Sequence, residues 1–293
     1  QHRIIAKVGE LMALCDRLDA QRAEREAVRN RLGAASLARL SAPEPHTFYA
    51  DARFALDALP ALTARPDQIK QLRQTILSLA VRGRLSSTGV AGRLVKLSDV
   101  ASLQNGYAFK SEWFATHGER LLRNTNVGHG AIDWHQSVRL PSRLAVEYER
   151  FRLNRGDVVL SLDRPFITTG TKVARVTSED VPSLLLQRVG RFVLAPALDS
   201  DYLYLWVNSP HFTSQIDPGR SNGVPHISSK QVEAAELYLP PLGEQQRIVA
   251  KVDELMSLCD KLEASLGSGD ATRARLLDSL LNDALSSQTT VAA

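Results

Sequence analysis

The sequence is poor in the residues that staple or metallate small folds. Among 293 residues there are two cysteines and two methionines, and aromatic residues make up only 6%. Cys15 and Cys259 are too few and too far apart for a disulfide framework, and each falls on a helical pattern, which fits a reducing cytoplasm. No apolar run approaches the roughly 18–20 residues that a membrane span needs. Catalytic signatures are equally scarce. There is no G-x-x-x-x-G-K-[ST] phosphate loop, no G-x-G-x-x-G turn and no G-x-S-x-G elbow. The seven histidines never stand with Cys or carboxylates at metal-ligand spacing. His129 lies alone in Gly128-His129-Gly130, and His211 and His226 each follow a proline. No metal or cofactor is expected. An enzyme stays open only because catalytic residues can be distant in a chain.

The rest of the composition is ordinary for a globular protein, 44% hydrophobic and 23% charged. The length allows one large or two small domains with a sizeable core. Net charge is +4, unevenly spread: residues 1–90 carry 14 Lys and Arg against 9 Asp and Glu, whereas residues 241–293 carry 5 against 8. A mild basic excess permits nucleic-acid binding without demonstrating it.

One stretch occurs twice. Residues 1–20, QHRIIAKVGELMALCDRLDA, and 245–264, QQRIVAKVDELMSLCDKLEA, agree at 14 of 20 places when shifted by 244. Both cysteines and both methionines (Met12, Met256) are at equivalent positions. Ile4, Val8, Leu11, Cys15 and Leu18 are spaced 4, 3, 4, 3, the a/d spacing of a coiled-coil seam, and Ile248, Val252, Leu255, Cys259 and Leu262 repeat it. The first helix is predicted to run to about Leu40. Pro43, Pro45, Pro60 and Pro66 then mark a connector, with a short helix near 52–59. A further helix is predicted over about 67–81, where Ile69, Leu72, Ile76 and Leu79 again make a narrow seam. Such a seam wants a helical partner, and a repeat copy is the natural candidate for an antiparallel pair. After the second copy, Gly267-Ser268-Gly269 is expected to interrupt the helix.

Residues 91–240 differ. Short β-rich runs, at 94–100, 120–124, 157–160, 171–176, 190–193 and 236–239, alternate with helical stretches at 142–148, 201–208 and 228–234. The fold class expected is α+β, one globular domain plus long antiparallel coiled-coil-like helices. The expected divisions are a helical spacer with its connector (1–90), the α+β domain (91–243), a distal helical region (244–285) and a disordered tail (286–293).

The inserted domain offers loops rich in polar and basic groups. Asn105, Tyr107 and Lys110 lie in LQNGYAFK; Arg123, Asn124 and Asn126 follow a strand-like run. Arg164 opens RPFITTGTK, which holds Thr168, Thr169, Thr171 and Lys172. Arg220, Asn222 and His226 lie in a Gly/Pro-punctuated loop, with Ser228 and Lys230 at the next helix start. Arg and Lys pair with guanine edges, Asn with adenine, and hydroxyls with phosphates, so these are residue types that read duplex DNA. A polar loop also faces water for its own sake, and no single loop separates the two readings.

Taken together, the pattern resembles the specificity subunit of type I restriction–modification systems. Residues 239–255, LPPLGEQQRIVAKVDEL, look like the family's junction between a target-recognition domain and a conserved helix, and 68–85, QIKQLRQTILSLAVRGRL, like its helix leading into a recognition domain. LVKLSDVASLQNGYAFKS, the run Gly156–Ser161, the step Gln187-Arg188-Val189 and the helix entry Ile227-Ser228 follow in family order. The resemblance implies a non-catalytic subunit that reads one half of a bipartite site in double-stranded DNA. It implies docking of two methyltransferase subunits and, through the complex, of restriction/translocase subunits, with no membrane contact. The family has two recognition domains and this sequence has one. Beginning at Gln1, midway into the junction motif, it is expected to be a subunit cut after its first recognition domain, or else a half-subunit that self-associates. Two other classes stay open: a coiled-coil adaptor whose inserted domain binds protein, and an unrecognised nuclease or methyltransferase.

Overall fold

Heptad-like spacing and strong helix formers produce long helices at the two ends of the chain. In the computed structural model, which describes residues 2–41, 54, 65–85, 92–221 and 223–289, helix α1 spans His2–Ser41 and α2 spans Pro66–Val81. The proline-rich connector and the helix expected at 52–59 lie, apart from Phe54, outside the described residues. The chain divides into two units: Gln1–Thr75 with Leu255–Ala293, and Ile76–Glu254.

In the second unit the first and last strands lie side by side. β1 (Arg93–Lys96) pairs antiparallel with β13 (Glu236–Leu239), Arg93 opposite Leu239 and Lys96 opposite Glu236. The strand expected over 94–100 stops at Lys96, because Asp99 Oδ2 accepts from the Lys96 amide at 3.1 Å and turns 97–99 into a 3-10 turn. The central sheet has the order β2-β10-β5-β8, all antiparallel: β2 (Ala101–Asn105), β10 (Val189–Leu194), β5 (Val158–Ser161) and β8 (Val173–Arg175). β2 runs into the stretch expected as loop, since only Ala101 and Leu103 face inward and Gln104 and Asn105 mask the pattern. A second sheet, β4-β3-β9, joins β3 (Glu119–Leu122) antiparallel to β4 (Val138–Leu140) and parallel to β9 (Ser183–Leu185). Its apolar residues, with Val159, Val189 and Phe151, form one core cluster.

Two small hairpins project from this frame, β6–β7 (Phe166–Ile167 and Gly170–Thr171) and β11–β12 (Gly219–Ser221 and Val224–His226). The short helices are α3 (Ser142–Ala145, continued as a 3-10 turn to Phe151), α4 (Ser200–Val207), α5 (Pro210–Gln215) and α6 (Ser229–Ala234). On α4, Tyr202 and Trp206 are fully buried, and the Tyr202 hydroxyl donates to the Tyr238 carbonyl at 2.8 Å. Burial pushes that phenol well above its ordinary range.

α7 (Leu242–Thr289) begins in the second unit and is locked there by one side chain. Gln245 is fully buried; its Nε2 donates to the Ala197 and Pro240 carbonyls, each at 2.8 Å, and its Oε1 accepts from the Asp199 amide at 2.8 Å. Asp199 in turn caps α4. The interruption expected at Gly267-Ser268-Gly269 is absent. A helical glycine costs about 1 kcal/mol relative to alanine, too little to stop a helix whose flanks are strong formers. Here Ser268 Oγ and Thr272 Oγ1 also bond carbonyls one turn back, at 2.9 Å each.

In the first unit α2 packs against α7, as the matching seams predict. Arg73 Nη2 contacts Asp260 Oδ1 at 2.6 Å and Glu263 Oε2 at 3.0 Å, and its Nη1 lies 3.8 Å from Met256 Sδ. Cys259 is 1% exposed beneath this contact. Gln68 Nε2 donates to Asn30 Oδ1 of α1 at 2.9 Å.

Candidate nucleic-acid interface

Main-chain bonds draw four loop segments together. The Arg164 amide donates to the Pro225 carbonyl at 2.8 Å, the Ile227 amide to Leu162 at 2.9 Å and the Leu162 amide to Arg188 at 2.9 Å. Asp163 and His226 form an isolated bridge. The β6–β7 hairpin is tied to the 123–130 segment: His129 Nδ1 lies 2.9 Å from the Thr171 carbonyl, and Lys172 Nζ donates to the Asn124 carbonyl at 2.5 Å. At Gly170 (φ 143°) a Cβ would come within 2.6 Å of the His129 ring, so glycine is required for this approach.

Charge concentrates around Asp163. His226 Nδ1 bonds Asp163 Oδ1 at 2.7 Å, and Arg188 Nη1 lies 3.5 Å from the same oxygen and 3.2 Å from His226 Nδ1. Burial, followed by the Arg164 charge, lowers the Lys172 ammonium from its ordinary value, opposed by Asp163. Among the described residues Arg164 (φ 47°) and Arg188 (φ 70°) are the two non-glycines at positive φ. The left-handed conformation costs about 1–2 kcal/mol per residue, and the main-chain bonds just named hold both arginines in it.

The residues singled out from sequence separate into three groups. Arg164, Lys172 and His226 sit in the linked cluster, Thr168 and Thr169 are exposed at the β6–β7 tip, and Asn124 is joined through its carbonyl. Asn105 ends β2, and its Nδ2 donates to Ser229 Oγ at 3.3 Å beside Lys230, which is exposed in the first turn of α6. Ser228 Oγ is the cap of that helix, accepting from the Gln231 amide at 3.2 Å. The backbone of Arg220 lies in β11, and Asn222 is outside the described residues.

A second group faces inward. Asn126 is 2% exposed, its Nδ2 donating to the Asp133 carbonyl at 2.8 Å and its Oδ1 accepting from the Arg123 amide at 3.1 Å. Thr171 is 2% exposed, with Oγ1 donating to the Val207 carbonyl at 3.1 Å. Tyr107 packs against Phe109, Tyr148 and Phe151, with ring centroids 4.6–5.4 Å apart. These three side chains satisfy buried main-chain groups or fill the core, and as they stand they offer a ligand little surface.

The third group stands apart from the linked loops. The Arg123 guanidinium donates to the Gln136 carbonyl, and Lys110 pairs with Glu112 at 3.7 Å over the Trp113 ring. Sequence reasoning missed Asp163 and gave Arg188 no contact role. The available signal was Gln187-Arg188, a polar pair between the apolar run Leu184–Leu186 and Val189.

Among the described residues no group of three or more His, Cys, Asp or Glu is placed to hold a metal ion, and no helix is long and apolar enough to cross a membrane. The architecture defines a class: an α+β binding domain, presenting loops, inserted between long helices. Residues 93–267 match the family described as type I restriction modification DNA specificity domain, and the chain belongs to that family. It is 35% identical, over 97% of its length, to the specificity subunit of the type I restriction enzyme EcoAI of Escherichia coli, and 30% identical, over 57% of its length, to that of MjaVIII of Methanocaldococcus jannaschii. It spans 56% and 40% of those two relatives. The crystal structure of the HsdS subunit from Thermoanaerobacter tengcongensis matches 87% of this chain with a TM-score of 0.50 at 20% identity, a likeness of fold.

Proposed function

We propose that this chain is a DNA-reading subunit without a catalytic site of its own, recognising one half of a bipartite duplex sequence within a cytoplasmic type I restriction–modification complex. The observation that carries this reading is the linked loop cluster holding Arg164, Lys172, Arg188 and His226 in a chain of this family. Contacts to DNA are assigned to Asn105, Arg164, Thr168, Thr169, Lys172, Arg220, Asn222, His226 and Lys230. Asn126, Thr171, Tyr107 and Ser228 hold the loops that carry them. Lys110, Arg123 and Asn124 are assigned to the flanks.

The helices are the docking frame for methyltransferase subunits. α1 also leaves its copy of the seam open, with Val8 49% and Leu18 53% exposed. Asp16 and Asp19 occupy the positions of Asp260 and Glu263, the pair that receives Arg73 in the second copy. The partner that fits is a helix patterned like α2, with an arginine beside its apolar seam, supplied by a second recognition half.

The test is equilibrium binding of the chain to a pool of duplexes over a range of salt. Binding through phosphates makes affinity fall steeply with added salt, about 0.9 log units per log unit of salt for each phosphate neutralised, and Arg164→Ala is expected to weaken it. An absence of salt-sensitive DNA affinity would leave the protein-binding adaptor as the better reading.

A further inference from the structure

Within the reading of DNA by this domain, which it presupposes, we infer that Arg188 is a base-reading residue specific for guanine and that Asp163 with His226 is the clamp that aims it. Arg188 lies at the β9–β10 turn in the left-handed conformation (φ 70°), its backbone carbonyl taken by the Leu162 amide at 2.9 Å. One corner of its guanidinium, Nη1, meets Asp163 Oδ1 at 3.5 Å, the outer limit of a hydrogen bond, and lies 3.2 Å from His226 Nδ1. Asp163 is itself fixed by the 2.7 Å bond to His226, and its side chain is 20% exposed against 46% for Arg188. The anchor is therefore the more buried member and the arginine the outward one.

The geometry leaves the other edge of the fork, Nε and Nη2, with no hydrogen-bond partner among the described residues. Two parallel N–H donors on a rigid plane match the O6 and N7 acceptors that only guanine presents together in the major groove. Arginine steered by a neighbouring carboxylate loses less freedom on binding than a loose surface cation, which favours directional recognition over a general grip on phosphates. The carboxylate acts the same way: a negative charge beside the cluster works against a phosphate at this point and not against a neutral base edge. Arg164 and Lys172, whose charges flank Asp163 on the neighbouring hairpin, are better placed to meet the backbone.

The test is selection of bound duplexes from a randomised pool by the full chain, read by sequencing, with affinity measured against salt for the selected sequence. For Arg188→Lys, which keeps the charge and removes the fork, the expectation is loss of preference for guanine at one position by about 10- to 100-fold, with other positions and the salt slope unchanged. Asp163→Asn keeps the shape of the clamp and removes its charge; it is expected to relax the same position by a smaller factor. Uniform weakening across all sequences with a shallower salt slope would make Arg188 a phosphate contact and overturn the inference, as would an unchanged selected sequence in both variants. If the wild-type chain selects no sequence, the DNA-reading assignment itself fails, and this inference falls with it.

Discussion

The two copies of the repeated helix start from nearly the same sequence and end in different surroundings. In the second copy Ile248, Val252 and Cys259 are each 1% exposed, and Arg73 of α2 lies across Met256, Asp260 and Glu263. In the first, Val8, Met12 and Leu18 are 49%, 64% and 53% exposed and Cys15 is open. Periodicity therefore specifies a seam but not its occupancy. What distinguishes the copies is α2 and the junction at Gln245, both long-range in sequence.

Thiol chemistry should show the contrast at its largest. Cys259 is buried, and that burial also pushes its thiol up from its ordinary value, so less of the reactive thiolate forms. With modification confined to opened states, Cys15 should react at least about 100-fold faster than Cys259, measured by timed alkylation and mass spectrometry of the native chain. A methyltransferase-bound or second-half-bound complex that slows Cys15 selectively would place a partner on the open seam. Comparable rates at the two cysteines in the isolated chain would erase the comparison.

Next comes the lock at the base of the second copy. Gln245→Leu removes three hydrogen bonds and leaves the Asp199 amide, the Ala197 carbonyl and the buried Pro240 carbonyl without that partner. The expected cost is about 3 kcal/mol or more, read from chemical denaturation with fluorescence of the buried Trp206. The smallest effect is the paired truncation. Val252→Ala should destabilise by about 2 kcal/mol, whereas Val8→Ala should stay within about 0.5 kcal/mol. Equal losses at the two positions would mean that the first seam is covered in the isolated chain.

Much of the frame is legible in the sequence. The seams at Ile69–Leu79 and Ile248–Leu262, the α+β character of the inserted domain and the junction around Pro240–Gln246 follow from spacing, turn residues and family likeness. The misreadings have identifiable causes. Gly267 and Gly269 cost only about 1 kcal/mol each, too little to break a long run of helix formers. β2 was hidden because an edge strand with one buried face shows only two apolar residues, Ala101 and Leu103, in five. For the candidate site, polarity alone could not separate Arg164, which stands at the linked loops, from Asn126 and Thr171, which are spent on the Asp133 and Val207 carbonyls.

By itself, the sequence determined where helices run, which of their faces are apolar, and the kind of domain set between them, because periodicity and turn chemistry act over a few residues. The tertiary structure alone decided which seam is filled, which polar side chains point outward, and that Asp163, Arg188 and His226 meet from three separate segments. Those outcomes depend on neighbours tens to hundreds of residues away, and burial and charge pairing belong to the neighbourhood before they belong to the residue.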